Sequence, residues 1–208
     1  GFTPSTIIND APLYFSAAET GGRPWEPKNY DGRFSGPLTM RSALAKSKNT
    51  VSIRILRSIG AYEGQQWATR FGFDADKNPP YLTLALGAGA TTPMQMAVAY
   101  SVFANGGHRV NPWLISKITD PRENVLLEVT PPDLTEENRV IDARNAFIMT
   151  QLLGEVTHRG TAARAGAALQ REDIYGKTGT TNDAQDAWFA GWQPTNAAVV
   201  WIGYDKPR

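Results

Sequence analysis

Apolar residues recur along this chain with two different periods, and the change from one to the other divides it. Val51, Ile55 and Ile59 follow one face of a helix that Gly60 stops, and a further helix is expected over 61–70, closed by Gly72. Thr92-Pro93 is a capping pair for a strongly apolar helix over 94–104, halted by Gly106-Gly107. Asp142 caps a long amphipathic helix over 143–158. Earlier, Pro37 stands at a favourable first-turn position for a helix over 38–45, and the polar stretch Lys46-Ser47-Lys48-Asn49 breaks it from the next. Residues 1–36, rich in Gly, Pro and Asn, read as an ordered but irregular surface segment around Trp25 and Tyr30.

The period of two appears in the second half. Short strands are expected over 114–119 and 124–129, joined by the turn Asp120-Pro121-Arg122-Glu123. Three more follow over 173–181, 186–192 and 196–204, the last with Ala198, Val200 and Ile202 alternating with Val199, Trp201 and Gly203. Helices in the middle and an antiparallel meander at the end predict an α+β fold, with helices packed on an antiparallel sheet. No repeat, linker or second domain is visible, and residues 1–208 read as one unit.

Composition narrows the function classes. Of 208 residues, 41% are hydrophobic and 20% charged, and the net charge of +1 asks for neither nucleic acid nor an anionic membrane. The absence of cysteine excludes a disulfide framework and a thiol nucleophile. His108 and His158 stand far apart with no ligand spacing, so neither a metal nor another cofactor is expected. Leu86-Gly87-Ala88-Gly89-Ala90 matches no phosphate-loop pattern and reads as a packing loop, and Asp183 and Asp186 read as turn aspartates. Trp188, Trp192 and Trp201 are expected to pack around the sheet. No apolar run is long enough to cross a membrane. Gly1-Phe2 is not a natural translation start, so the chain is expected to be a fragment with its true N-terminus upstream.

The most specific signal is Lys177-Thr178-Gly179-Thr180 in a β-type run. Alternation puts the Thr178 and Thr180 hydroxyls on one side of the strand, about 7 Å apart, suited to a carboxylate and its flanking amide. Lys177 adds positive charge, and Gly179 lets another backbone approach, so that a peptide can add as an extra strand. Ser47-Lys48-Asn49 is a second candidate: a loop between helices can present a hydroxyl and an amide to a cleft, although Ser and Asn are also preferred helix caps.

With these two elements, and with Thr92-Pro93-Met94-Gln95, Arg159-Gly160-Thr161-Ala162 and Asp186-Ala187-Trp188-Phe189-Ala190-Gly191-Trp192, the chain resembles the transpeptidase domain of class A (bifunctional) penicillin-binding proteins, 1A type, over nearly its whole length. That resemblance implies the β-lactamase/transpeptidase-like fold of serine penicillin-recognising enzymes. It implies Ser47, Asn49 and Lys177 as catalytic residues and Thr178, Gly179, Thr180 and Asn182 as substrate-binding residues. It also implies D-Ala-D-Ala stem peptides and β-lactams as ligands. A glycosyltransferase domain and a membrane anchor would lie upstream, placing the enzyme on the periplasmic face of the inner membrane. One departure matters: no serine here has a lysine three residues on, whereas the family carries its nucleophile in a Ser-x-x-Lys box. That box is expected just upstream of Gly1, leaving the fragment inactive by itself. Two alternatives keep the same site: a hydrolase of carboxypeptidase or β-lactamase type, and a peptide- or β-lactam-binding module without turnover.

Overall fold

A computed structural model of the chain describes residues 1–181 and 184–204. In chain order the elements are β1 (Ile7–Asp10), α1 (Ala17–Thr20), β2 (Gly36–Thr39), α2 (Met40–Ala45), α3 (Asn49–Ile59), α4 (Ala61–Arg70) and α5 (Pro93–Ala104). They continue as β3 (Lys117–Thr119), β4 (Val125–Glu128), α6 (Ala143–His158), α7 (Ala163–Leu169), β5 (Tyr175–Thr180), β6 (Asp186–Gln193) and β7 (Asn196–Gly203). The expected antiparallel meander is the sheet β5-β6-β7.

Helices α5 and α6 cover one side of that sheet. Trp192 of β6, only 5% exposed, packs with Leu153 and Val156 of α6 and ring-to-ring with Tyr100 and Phe103 of α5. Register pairs Tyr175 with Trp192 and Lys177 with Ala190, so Lys177 springs from the same side of the sheet as this core. The opposite side of β7 presents Val200 and Ile202 to solvent. Trp188 and Trp201 meet at 5.9 Å, as expected for residues paired across β6 and β7. A second core of Leu13, Phe15 and Ile53, with Trp25 stacked on Phe15, fastens the early segment to α3.

The caps read from sequence form as expected at α5, where Thr92 and Gln95 make a reciprocal capping box, and at α6, where Asp142 accepts from the Arg144 N–H. The helix expected from Pro37 starts later. Pro37 lies in β2 opposite Asn9, and α2 begins at Met40 after Thr39 caps it through the Ser42 N–H. A two-stranded ribbon has positions needing no ladder donor, so proline is tolerated there. The irregular segment likewise contains β1, α1 and a bridge between Phe15 and Trp25, and the strand expected over 114–119 is confined to Lys117–Thr119. The packing reading of the glycine-rich loop is matched at Gly89, where a Cβ would collide with the Asn78 side chain. Among the described residues no helix is long and apolar enough to cross a membrane, and no acidic or histidine cluster could hold a metal.

Candidate active site

The polar break after α2 is built as a helix stop that ends on a serine. The Ser47 N–H donates to the Leu44 carbonyl and the Lys48 N–H to the Ala43 carbonyl, the paired bonds of a Schellman ending. Such an ending needs a left-handed residue, usually glycine, and here Ser47 takes it with φ 53°. The strain costs about 1 kcal/mol relative to glycine. What the position gains is a hydroxyl, which accepts from the Lys177 ammonium at 2.7 Å. Residues 130 apart in sequence are thus joined across the molecule.

Lys177 also donates to the Thr178 carbonyl at 2.9 Å. Burial against the core side of the sheet pushes its pKa down to about 8. Neither member of the Ser-x-Asn triplet caps α3: the residue at the cap position is Lys48, which makes no side-chain cap bond. Asn49 is the first residue of the helix, and its amide donates to the Lys28 carbonyl at 2.9 Å.

Lys48, between them, points inward and is 5% exposed. Its ammonium lies 3.5 Å from Asp10, which is fully buried, and 3.2 Å from Asp31. Burial alone would raise the Asp10 pKa, but hydrogen bonds from Thr50, Asn29 and the Ser35 N–H, with the charge of Lys48, hold the carboxyl below its ordinary value. The network joins the end of β1, the irregular segment near residues 29–35 and the start of α3. It fixes the loop that carries Ser47.

Between this loop, the Trp25–Asp31 segment and the edge of β5 lies a cleft of about 890 Å³. Ser47, Asn49, Thr161, Thr178 and Thr180 line it. Strand β5 pairs only with β6 among the described residues, so its outer edge borders the cleft unpaired. Gly179 is not demanded by internal packing, since an added Cβ would meet Trp188 at an ordinary 3.5 Å. Gly176 is: a Cβ there would press within 2.6 Å of Phe189. Thr178 is engaged, its hydroxyl 2.6 Å from that of Thr161. Asn182 and Asp183 lie outside the described residues. The two histidines are tied to backbone carbonyls, His108 to Asn105 and His158 to Glu172. Sequence reasoning missed Asp10, Lys48 and Thr161 as parts of the site. Thr161, inside the quoted Arg159-Gly160-Thr161-Ala162 stretch, and Lys48, the middle residue of the Ser47-Lys48-Asn49 triplet, stood in stretches that carried a signal; Asp10 did not.

The penicillin-binding protein transpeptidase domain model matches residues 1–205. Penicillin-binding protein 1A of Neisseria meningitidis is 51% identical over 210 residues, which take in 100% of this chain and 26% of that protein. The crystal structure of penicillin-binding protein 1A from Haemophilus influenzae is 32% identical and superposes with a TM-score of 0.91, over 100% of this chain and 36% of that one. An imipenem acyl-enzyme complex of penicillin-binding protein A from Mycobacterium tuberculosis, 21% identical, shares the fold at a TM-score of 0.80, covering 98% of this chain and 51% of its own. The chain spans about a quarter of the length of the curated relative it matches. It belongs to the penicillin-binding protein transpeptidase domains, of the 1A type.

Proposed function

We propose that this chain forms one wall of a D,D-transpeptidase site whose nucleophilic serine, with its Ser-x-x-Lys box, is supplied by a part of the parent protein outside the given residues. The serine attacks the carbonyl of a D-Ala-D-Ala stem peptide, forming an ester and releasing D-alanine. An amine of a second stem peptide then attacks the ester, forming the cross-link and freeing the serine. β-Lactams acylate the same serine in this reading; penicillin-binding protein A from Mycobacterium tuberculosis, which shares the fold, forms an acyl-enzyme with imipenem.

In this reading Ser47 passes the serine's proton to the departing amine through its hydroxyl. Asn49 orients the incoming lysine and accepts or donates to the substrate amide. Lys177 supplies the charge that orients Ser47 and disfavours protonation of the second lysine. Thr178 and Thr180 hold the terminal carboxylate, Gly179 admits the peptide backbone along the edge of β5 that is unpaired among the described residues, and Asn182, two residues beyond β5 in sequence, belongs to the same substrate-binding set. The Thr180 N–H, with that of the nucleophile, receives the oxyanion; one such donor is worth about 3–4 kcal/mol. Periplasmic attachment to the inner membrane and a partnering glycosyltransferase domain belong to the same reading.

The observation that carries it is the 2.7 Å contact from Lys177 to Ser47 beside an unpaired strand edge in an open cleft. The test is covalent labelling of the full-length parent by a fluorescent penicillin. Wild type should be acylated, and Thr180→Val should be acylated about tenfold more slowly through loss of one hydroxyl to a carboxylate. An unlabelled wild type refutes the acyl-enzyme, and unchanged labelling of the variant removes Thr180 from the carboxylate site.

A further inference from the structure

The loop between α6 and α7 brings one more hydroxyl to the cleft, and its placement is set by backbone contacts. Gly160 packs so closely on the end of α2 that a Cβ there would collide with the Ala45 carbonyl, and would lie 2.8 Å from the Val156 Cα. The Thr161 N–H donates to that same Ala45 carbonyl at 3.1 Å, and Ala162 beside it is 4% exposed. Thr161 itself is exposed, lines the cleft, and stands 2.6 Å from the Thr178 hydroxyl. Its backbone is anchored two residues before Ser47, and its side chain reaches the strand that carries Lys177. One residue spans the two walls of the site.

From this placement, and resting on the transpeptidase reading above, we infer that Thr161 is a positioning residue for the carboxylate end of the ligand, acting through Thr178. A hydroxyl has one proton to donate. A carboxylate only accepts, so Thr178 holds it only by donating, and its own oxygen must then accept from Thr161. The pair has either direction available when the cleft is empty. A bound carboxylate selects the chain Thr161 O–H to Thr178 Oγ1, then Thr178 O–H to carboxylate. A hydroxyl that accepts one hydrogen bond donates the next more strongly. Removing Thr161's hydroxyl leaves Thr178 free to rotate and weakens it as a donor, with no change at Ser47 or Lys177.

The test uses the full-length parent protein and two probes, benzylpenicillin and its methyl ester, with acylation followed by competition against a fluorescent penicillin. Thr161→Val keeps the β-branched shape at an exposed position. It should raise the dissociation constant of the pre-acylation complex with the acid about tenfold, leaving the limiting acylation rate within about twofold. Thr161→Ser should restore wild-type behaviour, and the ester should react equally with wild type and Thr161→Val. Equal losses for acid and ester, or a loss in the limiting rate of the same size, would assign Thr161 a purely structural role and overturn the inference. So would an unaltered dissociation constant for the acid. If wild type itself takes no label, the acyl-enzyme reading fails and this inference falls with it; a labelled wild type with an unaffected variant sinks the inference alone.

Discussion

Lys177 offers a prediction in which stability and activity move in opposite directions. Its ammonium is buried against the core side of the sheet, and desolvation lowers its pKa from an ordinary 10.5 to about 8. That difference corresponds to about 3 kcal/mol by which folding is disfavoured while the group stays charged. Below pH 8 both folded and unfolded chains hold the proton, and the cost is present in full. Between about pH 8 and 10.5 the unfolded chain still binds a proton that the folded chain has released, so stability rises with pH across that window. Acylation should do the reverse, because loss of the proton removes the charge that donates to Ser47 and attracts the carboxylate. Under the proposed function a second lysine, supplied by the parent, would push the same pKa further down, so the alkaline limb of the labelling rate should fall at or below about pH 8. The assay measures labelling rate and denaturant midpoint on the same samples of full-length wild type and Lys177→Met from pH 6 to 10. Wild type should lose labelling while gaining resistance to denaturant relative to the variant. Identical pH dependence of both proteins in either quantity would refute the argument, and an unchanged labelling rate in Lys177→Met would remove this lysine from the mechanism.

Two further predictions concern the loop. Asp10→Ala leaves the buried Lys48 ammonium only the half-exposed Asp31 and the Arg33 carbonyl, and takes an acceptor from Thr50, Asn29 and the Ser35 N–H; it should cost about 2–3 kcal/mol, read as a lower thermal midpoint, and Asp10→Ala with Lys48→Met should recover part of it. Ser47→Gly and Ser47→Ala both lose the hydroxyl that accepts from Lys177, so penicillin labelling should fall sharply in each, but only alanine keeps the left-handed strain; the glycine variant should be the more stable by about 1 kcal/mol, and equal thermal midpoints would contradict the strain assigned to this position.

Much of the fold was legible because its elements obey local rules. The capping pair at Thr92, the cap at Asp142, the stop at Gly60 and the alternation of β7 each announce themselves within a few residues, and each appears where expected. Pro37 misled because the same residue suits a helix start and an edge strand, and the pairing that decides between them comes from Asn9, 28 positions away. The site divides in the same manner. Thr178 and Thr180 share one side of a single strand, so their pairing follows from alternation, whereas Lys177 springs from the other side and joins the site through its contact with Ser47. Thr161 reaches the cleft, and Asp10 the network beneath its Ser47 loop, only through long-range packing, and no neighbouring residue marks an aspartate at the end of β1 as the buried partner of a lysine 38 positions on.

The places where local rules fail are themselves informative. Serine stands where a helix ending favours glycine, a lysine is buried in a loop, and another lysine rises from the core side of a strand. Gly179 occupies a strand position that internal packing does not require to be empty. Any one of these has a bland explanation by itself. All four border or support one cleft, and three place or accept a charge or hydroxyl at a cost that packing alone would have avoided. A sequence selected only to fold would fill those positions with glycine, an apolar residue, an apolar residue and a β-branched residue respectively. The strain and the buried charge therefore locate the cleft as the place where something other than stability has set the residues, independently of any resemblance to a known family.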